Sequence, residues 1–285
     1  MRIALIAHNA TRTNRALSQA GWGPDAACLL TPVEADVVLE RGDVALARLD
    51  VRTTLDGIEP GLLELECLAA RGIRMLNGAR SLLLAHDKLL TAQALLARGL
   101  PHPATEAVGR GTMRVSIEPP LVLKPRFGSW GEDVVLCPTP LAVEATLATF
   151  AQRRWIGAGA IAQELVPPRG YDLRLVVAAG RVVGAIRRVA AHGEWRTNVA
   201  LGASRTAAVP PGSAVRLALD AARATGLDLC GVDLLPVAGG EWTVLEVNGA
   251  VEFTHEYRLL GDPFALAAES LHGLLAADHR FVTSS

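Results

Sequence analysis

The chain has 285 residues, 50% of them hydrophobic and 20% charged, a globular composition with ample material for a buried core. A net charge of −1 excludes a general attraction to nucleic acid or anionic membranes, so any anion site is local. No stretch approaches the roughly 18 uninterrupted apolar residues of a membrane helix. The start, Met1 to Ile6 running into Asn9, Thr11 and Arg12, lacks a small-residue cleavage site, and a cytoplasmic location with no membrane partner is expected.

In chain order, Arg2 to Ala7 reads as a buried strand, Arg12 to Ala20 as a helix, Val44 to Ala47 as a strand, Gly61 to Arg71 as a helix and Ile73 to Leu76 as a strand. That alternation predicts a parallel, Rossmann-like α/β domain over residues 1–80. The stretch Ala7-His8-Asn9-Ala10 carries no dinucleotide glycine fingerprint, which argues against a nicotinamide-dependent oxidoreductase. Ser81 stands where an N-cap is expected, ahead of an apolar helix to about Arg98.

Strands are then expected at Thr105 to Val108, at Leu121 to Lys124 and before Pro138, with a helix from Leu141 to Gln152; this predicts a small α+β unit over 81–165. A second α+β unit over 166–285 follows from strands between Ile161 and Val189 turning at Ala179-Gly180, a helix at Ser213 to Thr225, strands at Leu229 to Pro236 and Trp242 to Val247, and a helix from Asp262 to Ala276. The end is expected to fray from about Asp278. The four cysteines, Cys28, Cys67, Cys137 and Cys230, have no zinc-ligand spacing and read as reduced core thiols.

Only two of the 28 basic residues are lysines, Lys88 and Lys124. Lysine supplies a compact ammonium suited to a point contact with phosphate, although a codon bias sparing two positions also accounts for the count. Lys124 ends a strand and runs through Gly128, Ser129, Trp130 and Gly131, so backbone N–H groups and an ammonium can meet one phosphate; a plain Gly-Ser hairpin fits the same residues. On the strands around Asp233 and Glu246-Val247-Asn248, a period of two points Glu246 and Asn248 to one side and allows Asp233 to lie opposite. Two carboxylates and an amide are hard donors suited to Mg²⁺. Gln163-Glu164-Leu165-Val166 can present backbone to a nucleobase, with Asp172 and Arg174 toward ribose or phosphate. Arg187, Arg188, His192, Trp195, Arg196, Thr197 and Asn198 form a local anion site or a solvated basic face.

These motifs, in this order from about Ser81 to Leu275, resemble the RimK-type ATP-grasp ligases. The resemblance implies an α/β amino-terminal domain followed by two α+β subdomains that grip ATP. It implies Lys88, Lys124 and the Gly128 to Gly131 loop on phosphate, Glu164, Leu165 and Val166 on adenine, and Asp172 with Thr197 beside the nucleotide. Asp233, Glu246 and Asn248 would hold two Mg²⁺ ions, with Mn²⁺ as an alternative. Arg187, Arg196 and Asn198 would steady the acyl phosphate and the γ-phosphoryl group.

Within the family, Gly128-Ser129-Trp130-Gly131 and Asn248 to Phe253 look closest to the LysX branch. That likeness implies an amino-acid substrate, α-aminoadipate or glutamate, joined to the terminal glutamate of a small acidic carrier protein in lysine or arginine biosynthesis. Arg187, Arg188, His192, Glu252 and Phe253 would face substrate. A homo-oligomer without nucleic-acid partners is the family expectation. Two alternatives are a RimK-type glutamate ligase acting on a peptide tail or secondary metabolite, and a non-catalytic ATP-binding regulator.

Overall fold

A computed structural model describes residues 1–23, 26–50, 53–54, 57–58, 61–109 and 114–282. The amino-terminal region alternates β1 (Ile3–Ile6), α1 (Arg12–Gln19), β2 (Cys28–Leu30), α2 (Pro32–Val38) and β3 (Val44–Ala47). A two-residue pair, β4 (Thr53–Thr54) and β5 (Gly57–Ile58), precedes α3 (Leu62–Ala70) and β6 (Arg74–Leu76). The parallel sheet runs β2-β1-β3-β6, and the fully buried Ile3 to Ile6 and Val44 to Ala47 form its centre. In the β2–α2 unit, absent from the sequence expectation, α2 starts at a Thr31–Glu34 capping box with Pro32 in the first turn.

Where one helix from Ser81 to Arg98 was expected, there are two. Gly78 caps α4 (Ala79–His86), so Ser81 lies inside it, and the chain breaks at Asp87 before α5 (Lys88–Ala97). Asp87 takes an extended conformation and its carboxylate accepts the N–H groups of Leu89 and Leu90, a side-chain cap strong enough to start a new helix. The break sets Lys88 at the first position of α5.

A second sheet, ordered β7-β10-β8-β9, is built from β7 (Thr105–Val108), β8 (Leu121–Pro125), β9 (Val135–Cys137) and β10 (Ala160–Glu164), backed by α6 (Pro140–Phe150). The third, antiparallel throughout, runs β13-β12-β11-β14-β15. Its strands are β11 (Tyr171–Ala178), β12 (Arg181–Val189), β13 (Ser204–Ala207), β14 (Leu229–Pro236) and β15 (Trp242–Asn248); α7 (Gly212–Thr225) and α8 (Pro263–Val282) accompany them. Helix α8 continues past the Asp278 at which fraying was expected.

The first and third sheets share two apolar cores, one joining Ile6, Ala45 and Leu65 to Leu175, Val232 and Val247, the other joining Leu5, Leu17 and Leu46 to Val176, Phe253 and Leu271. The second sheet has its own, around Leu121, Leu147, Phe150 and Ala162. Cys137 and Cys230 are core thiols, but Cys28 and Cys67 are exposed, because the edge strand β2 and an outer position of α3 leave them facing out. Among the described residues, no helix is long and apolar enough to cross a membrane.

Candidate active site

A cleft of about 630 Å³ opens between the sheets, lined by the ends of β1 and β3, the loop after β8, the end of β10, and β12, β14 and β15. Both lysines line it. Lys88 donates from Nζ to the Gly128 carbonyl at 2.6 Å and lies 3.9 Å from Glu246 Oε1. Its helix is tied to the glycine loop, since Lys88 N–H donates to Arg126 O at 3.2 Å and Arg126 grips Asp87 at 2.7 and 2.5 Å.

Lys124 is buried and donates to Gln163 Oε1 at 2.8 Å. Burial foremost, then the charge of Lys88, lowers its ammonium to about 8, against the opposing pull of Glu246. The amide of Gln163 is oriented from behind. His102 Nδ1 lies 2.8 Å from the Val244 carbonyl, which can only accept, so Nδ1 carries the proton and Nε2 accepts from Gln163 Nε2 at 3.3 Å. Thr105 Oγ1 donates to Pro103 O and accepts from Gln163 Nε2 at 2.9 Å. Burial holds His102 down at about 4, so the relay is fixed at neutral pH with the Gln163 oxygen toward Lys124.

On the third sheet, Arg174 clasps Asp233 with two bonds of 2.6 Å. Arg188 reaches Asp172 at 2.8 and 2.5 Å and Asp233 at 2.8 Å, and Thr197 Oγ1 donates to Asp172 at 2.5 Å. Two strand irregularities set this geometry. An unbroken hairpin about Ala179-Gly180 pairs Asp172 with Arg187; a bulge leaves Val183 without a partner, and Asp172 instead faces Arg188. A second bulge, at Leu245, sets Asp233 opposite Glu246 while Asn248 pairs with Gly231.

Asp233, Glu246 and Asn248 therefore gather along the same cleft. Burial would lift the Asp233 carboxyl, but Arg174 and Arg188 more than offset this and hold it at about 2, ionised. Its three arginine bonds leave one of roughly four acceptor positions open. Asn248 Nδ2 is buried without a hydrogen-bond partner among the described residues. An anionic oxygen, a second carboxylate and an amide oxygen fit a hard divalent cation.

The glycine loop meets the segment 194–198. Arg196, held by Glu194 at 2.8 and 3.0 Å, donates to the carbonyls of Gly131 and Val134. Gly131 has φ +77°, and a Cβ there would lie 3.0 Å from Asn198 Oδ1, so the contact needs glycine. Gly128, Ser129, the exposed Trp130, Arg196, Thr197 and Asn198 line the cleft, as do Glu164, Leu165 and Val166 at the end of β10. Glu164 N–H is taken by Ala104 O at 2.8 Å.

Four expected site residues lie elsewhere. Arg187 is turned by the bulge away from the cleft face and stacks over the Tyr171 ring at 3.7 Å. His192 is exposed at a turn that does not border the cleft. Phe253 is 1% exposed, stacked on Phe264 at 4.6 Å, because the loop after β15 folds it into the core. Asp172 is fully buried behind Arg188, and orients that guanidinium instead of bordering the cleft. Sequence reading assigned no role to Arg48, Asn14, Arg126 or His102; none belongs to a periodic motif, and each is defined by a partner distant in sequence.

Residues 79–265 match the RimK-like ATP-grasp domain, and the chain belongs to that family. A protein named "Probable alpha-L-glutamate ligase" from Parasynechococcus marenigrum is 33% identical over 74% of this chain and 46% of its own length. The chain spans 46% to 68% of relatives carrying that name. In three dimensions it superimposes on the RimK domain ATP-grasp protein of Sphaerobacter thermophilus with a TM-score of 0.68 at 22% identity, covering 95% of this chain and 99% of that one. The ATP complex of D-alanine–D-alanine ligase from Bacillus anthracis gives a TM-score of 0.68 at 16% identity, covering 98% and 99%. The fold is thus ATP-grasp, and the family's cofactors are ATP and Mg²⁺.

Proposed function

We propose that the protein is an ADP-forming carboxylate–amine ligase, activating an acid as its acyl phosphate and joining it to the amine of an amino acid. One observation carries this reading: in a member of this family, Lys88, Lys124, Asp233, Glu246 and Asn248 line a single cleft. Lys124 and Lys88 bind the phosphates as point charges and the loop from Gly128 to Gly131 covers them. Leu165 and Val166 meet the base, since the Glu164 N–H is already engaged. Asp233, Glu246 and Asn248 hold Mg²⁺, which supplies charge neutralisation at the transferring phosphoryl group. Arg188, fixed by Asp172 and Asp233, presents a rigid cation at the cleft wall for the developing charge, and Arg196 holds the lid loop shut. Positioning and electrostatics suffice for this chemistry.

The amine donor is read as glutamate or α-aminoadipate, and the acid as the terminal glutamate of a peptide or small acidic carrier. The relatives' names support glutamate, and the sequence from Asn248 to Phe253 supports the carrier. The test is mass spectrometry of products after incubation with ATP, Mg²⁺, mixed amino acids and glutamate-terminated peptides or carrier. A mass increase of one amino acid less water, with stoichiometric ADP, is expected. Nucleotide binding with no ADP formed across the panel would favour a non-catalytic regulator.

A further inference from the structure

The amino-terminal sheet lines the cleft with groups that the nucleotide reading leaves unused. In the order β2-β1-β3-β6 the chain steps from β1 to β2 on one side, then crosses to β3 on the other, so β1 and β3 flank the point where the order reverses. Open parallel sheets bind ligands beyond the carboxyl ends of the strands at such a point. Here those ends supply Ala7, His8, Asn9, Arg48 and Asp50 to the cleft.

Arg48 stands out among them. Its side chain is 1% exposed; Nε donates to Asn14 Oδ1 at 2.7 Å and Nη2 to the Val251 carbonyl at 2.6 Å, so its plane is fixed. Nη1 is buried and has no hydrogen-bond partner among the described residues. The counter-charge is Glu252, whose side chain is 45% exposed, whose Oε1 lies 3.4 Å from Nη2, and which also accepts from Thr11. That separation exceeds the roughly 2.7–2.9 Å of a charge-assisted bond. A buried guanidinium with unmet N–H groups is costly unless an anion completes it. Burial draws Arg48 down to about 10.

We propose that this crevice seats the amine-donating amino acid, with Arg48 taking its α-carboxylate and Glu252 facing its amine. The unmet Nη1 of a fixed guanidinium suits a carboxylate oxygen, while the adjacent acid repels phosphate and favours a cationic amine. An α-carboxylate and α-amine share one carbon, which suits a cation and an acid already in loose contact. Glu252 follows the metal-strand residue Asn248 by four positions, so the seat adjoins the place where the acid is activated. The inference rests on the ligase reading above.

The test measures ADP release with ATP, Mg²⁺ and a glutamate-terminated peptide, using whichever of L-glutamate and L-α-aminoadipate turns over, and the α-amide of the same donor. In the wild type the α-amide raises the donor KM roughly ten- to a hundredfold, with KM for ATP unchanged. Arg48→Gln raises KM for the normal donor to a similar value and no longer separates it from the α-amide. If Arg48→Gln fails to fold, Glu252→Gln serves in its place: the donor KM rises and that of the peptide stays. Equal KM for donor and α-amide in the wild type overturns the seat, as does a variant whose defect lies in the peptide KM. A wild type that releases no ADP with any donor sinks the ligase reading itself.

Discussion

The third sheet and the amino-terminal crevice border the same cleft and treat buried charge differently. On the sheet, Asp172 and Asp233 share Arg174, Arg188 and Thr197, so each buried charge meets an opposite one at hydrogen-bond distance. In the crevice, Arg48 is as deeply buried and faces one loosely held carboxylate. The aspartate–arginine pairs of the sheet are satisfied before any ligand arrives, whereas the crevice is completed by one. Preorganised charge of the first kind serves a reaction step, and unmet donors of the second kind serve recognition.

The strongest way to break this comparison is Arg188→Ala, which leaves Asp172 buried with Thr197 alone. A stability loss of about 3–5 kcal/mol is expected in urea unfolding at pH 7; a loss below about 1 kcal/mol would show that the lattice is not charge-balanced. Lys124→Ala comes next, with an expected fall of roughly 10²–10³ in ATP turnover. Undiminished turnover contradicts its phosphate role.

A gentler probe is pH. The Lys124 amine, ordinarily protonated to about 10.5, is lowered to about 8, so its ammonium is present below that pH and lost above it. Bound phosphate favours the ammonium, and ATP affinity therefore weakens as pH climbs through 8, by up to about tenfold per unit. Titration calorimetry should find that step missing in Lys124→Ala. His102→Ala releases the Gln163 amide, and KM for ATP should rise about fivefold, the worth of roughly one hydrogen bond, with kcat nearly unchanged. Smallest of all, Arg187→Ala removes the stacking contact of a side chain that does not itself line the cleft, costing about 0.5–1 kcal/mol in thermal unfolding and leaving turnover as it was.

The contrast also explains which parts of the site were legible in the amino-acid sequence. Asp233, Glu246 and Asn248 sit on strands whose period of two declares a face, and the scarcity of lysine marked Lys88 and Lys124. Most element positions followed from the same apolar periodicity. What stayed hidden depends on a one-residue slip or a remote partner. Nothing in the run from Tyr171 to Val189 announces the bulge that exchanges Arg187 for Arg188, and no local pattern ties Arg48 to Val251 across 203 residues. The β2–α2 unit was missed because three strand residues are too few to show a period. Phe253 was misplaced because its stacking partners lie in other elements.

The separate core of the second sheet has a mechanical consequence. Its grip on the rest of the molecule near the cleft is made of polar latches: Arg126 on Asp87, Arg196 on the carbonyls of Gly131 and Val134, and the His102 relay to Val244. Swinging this jaw outward trades those latches for water without splitting an apolar interior, the kind of rigid-body tilt that costs little. A ligand touching Lys124 on the jaw and Glu246 beneath it would act as the bolt.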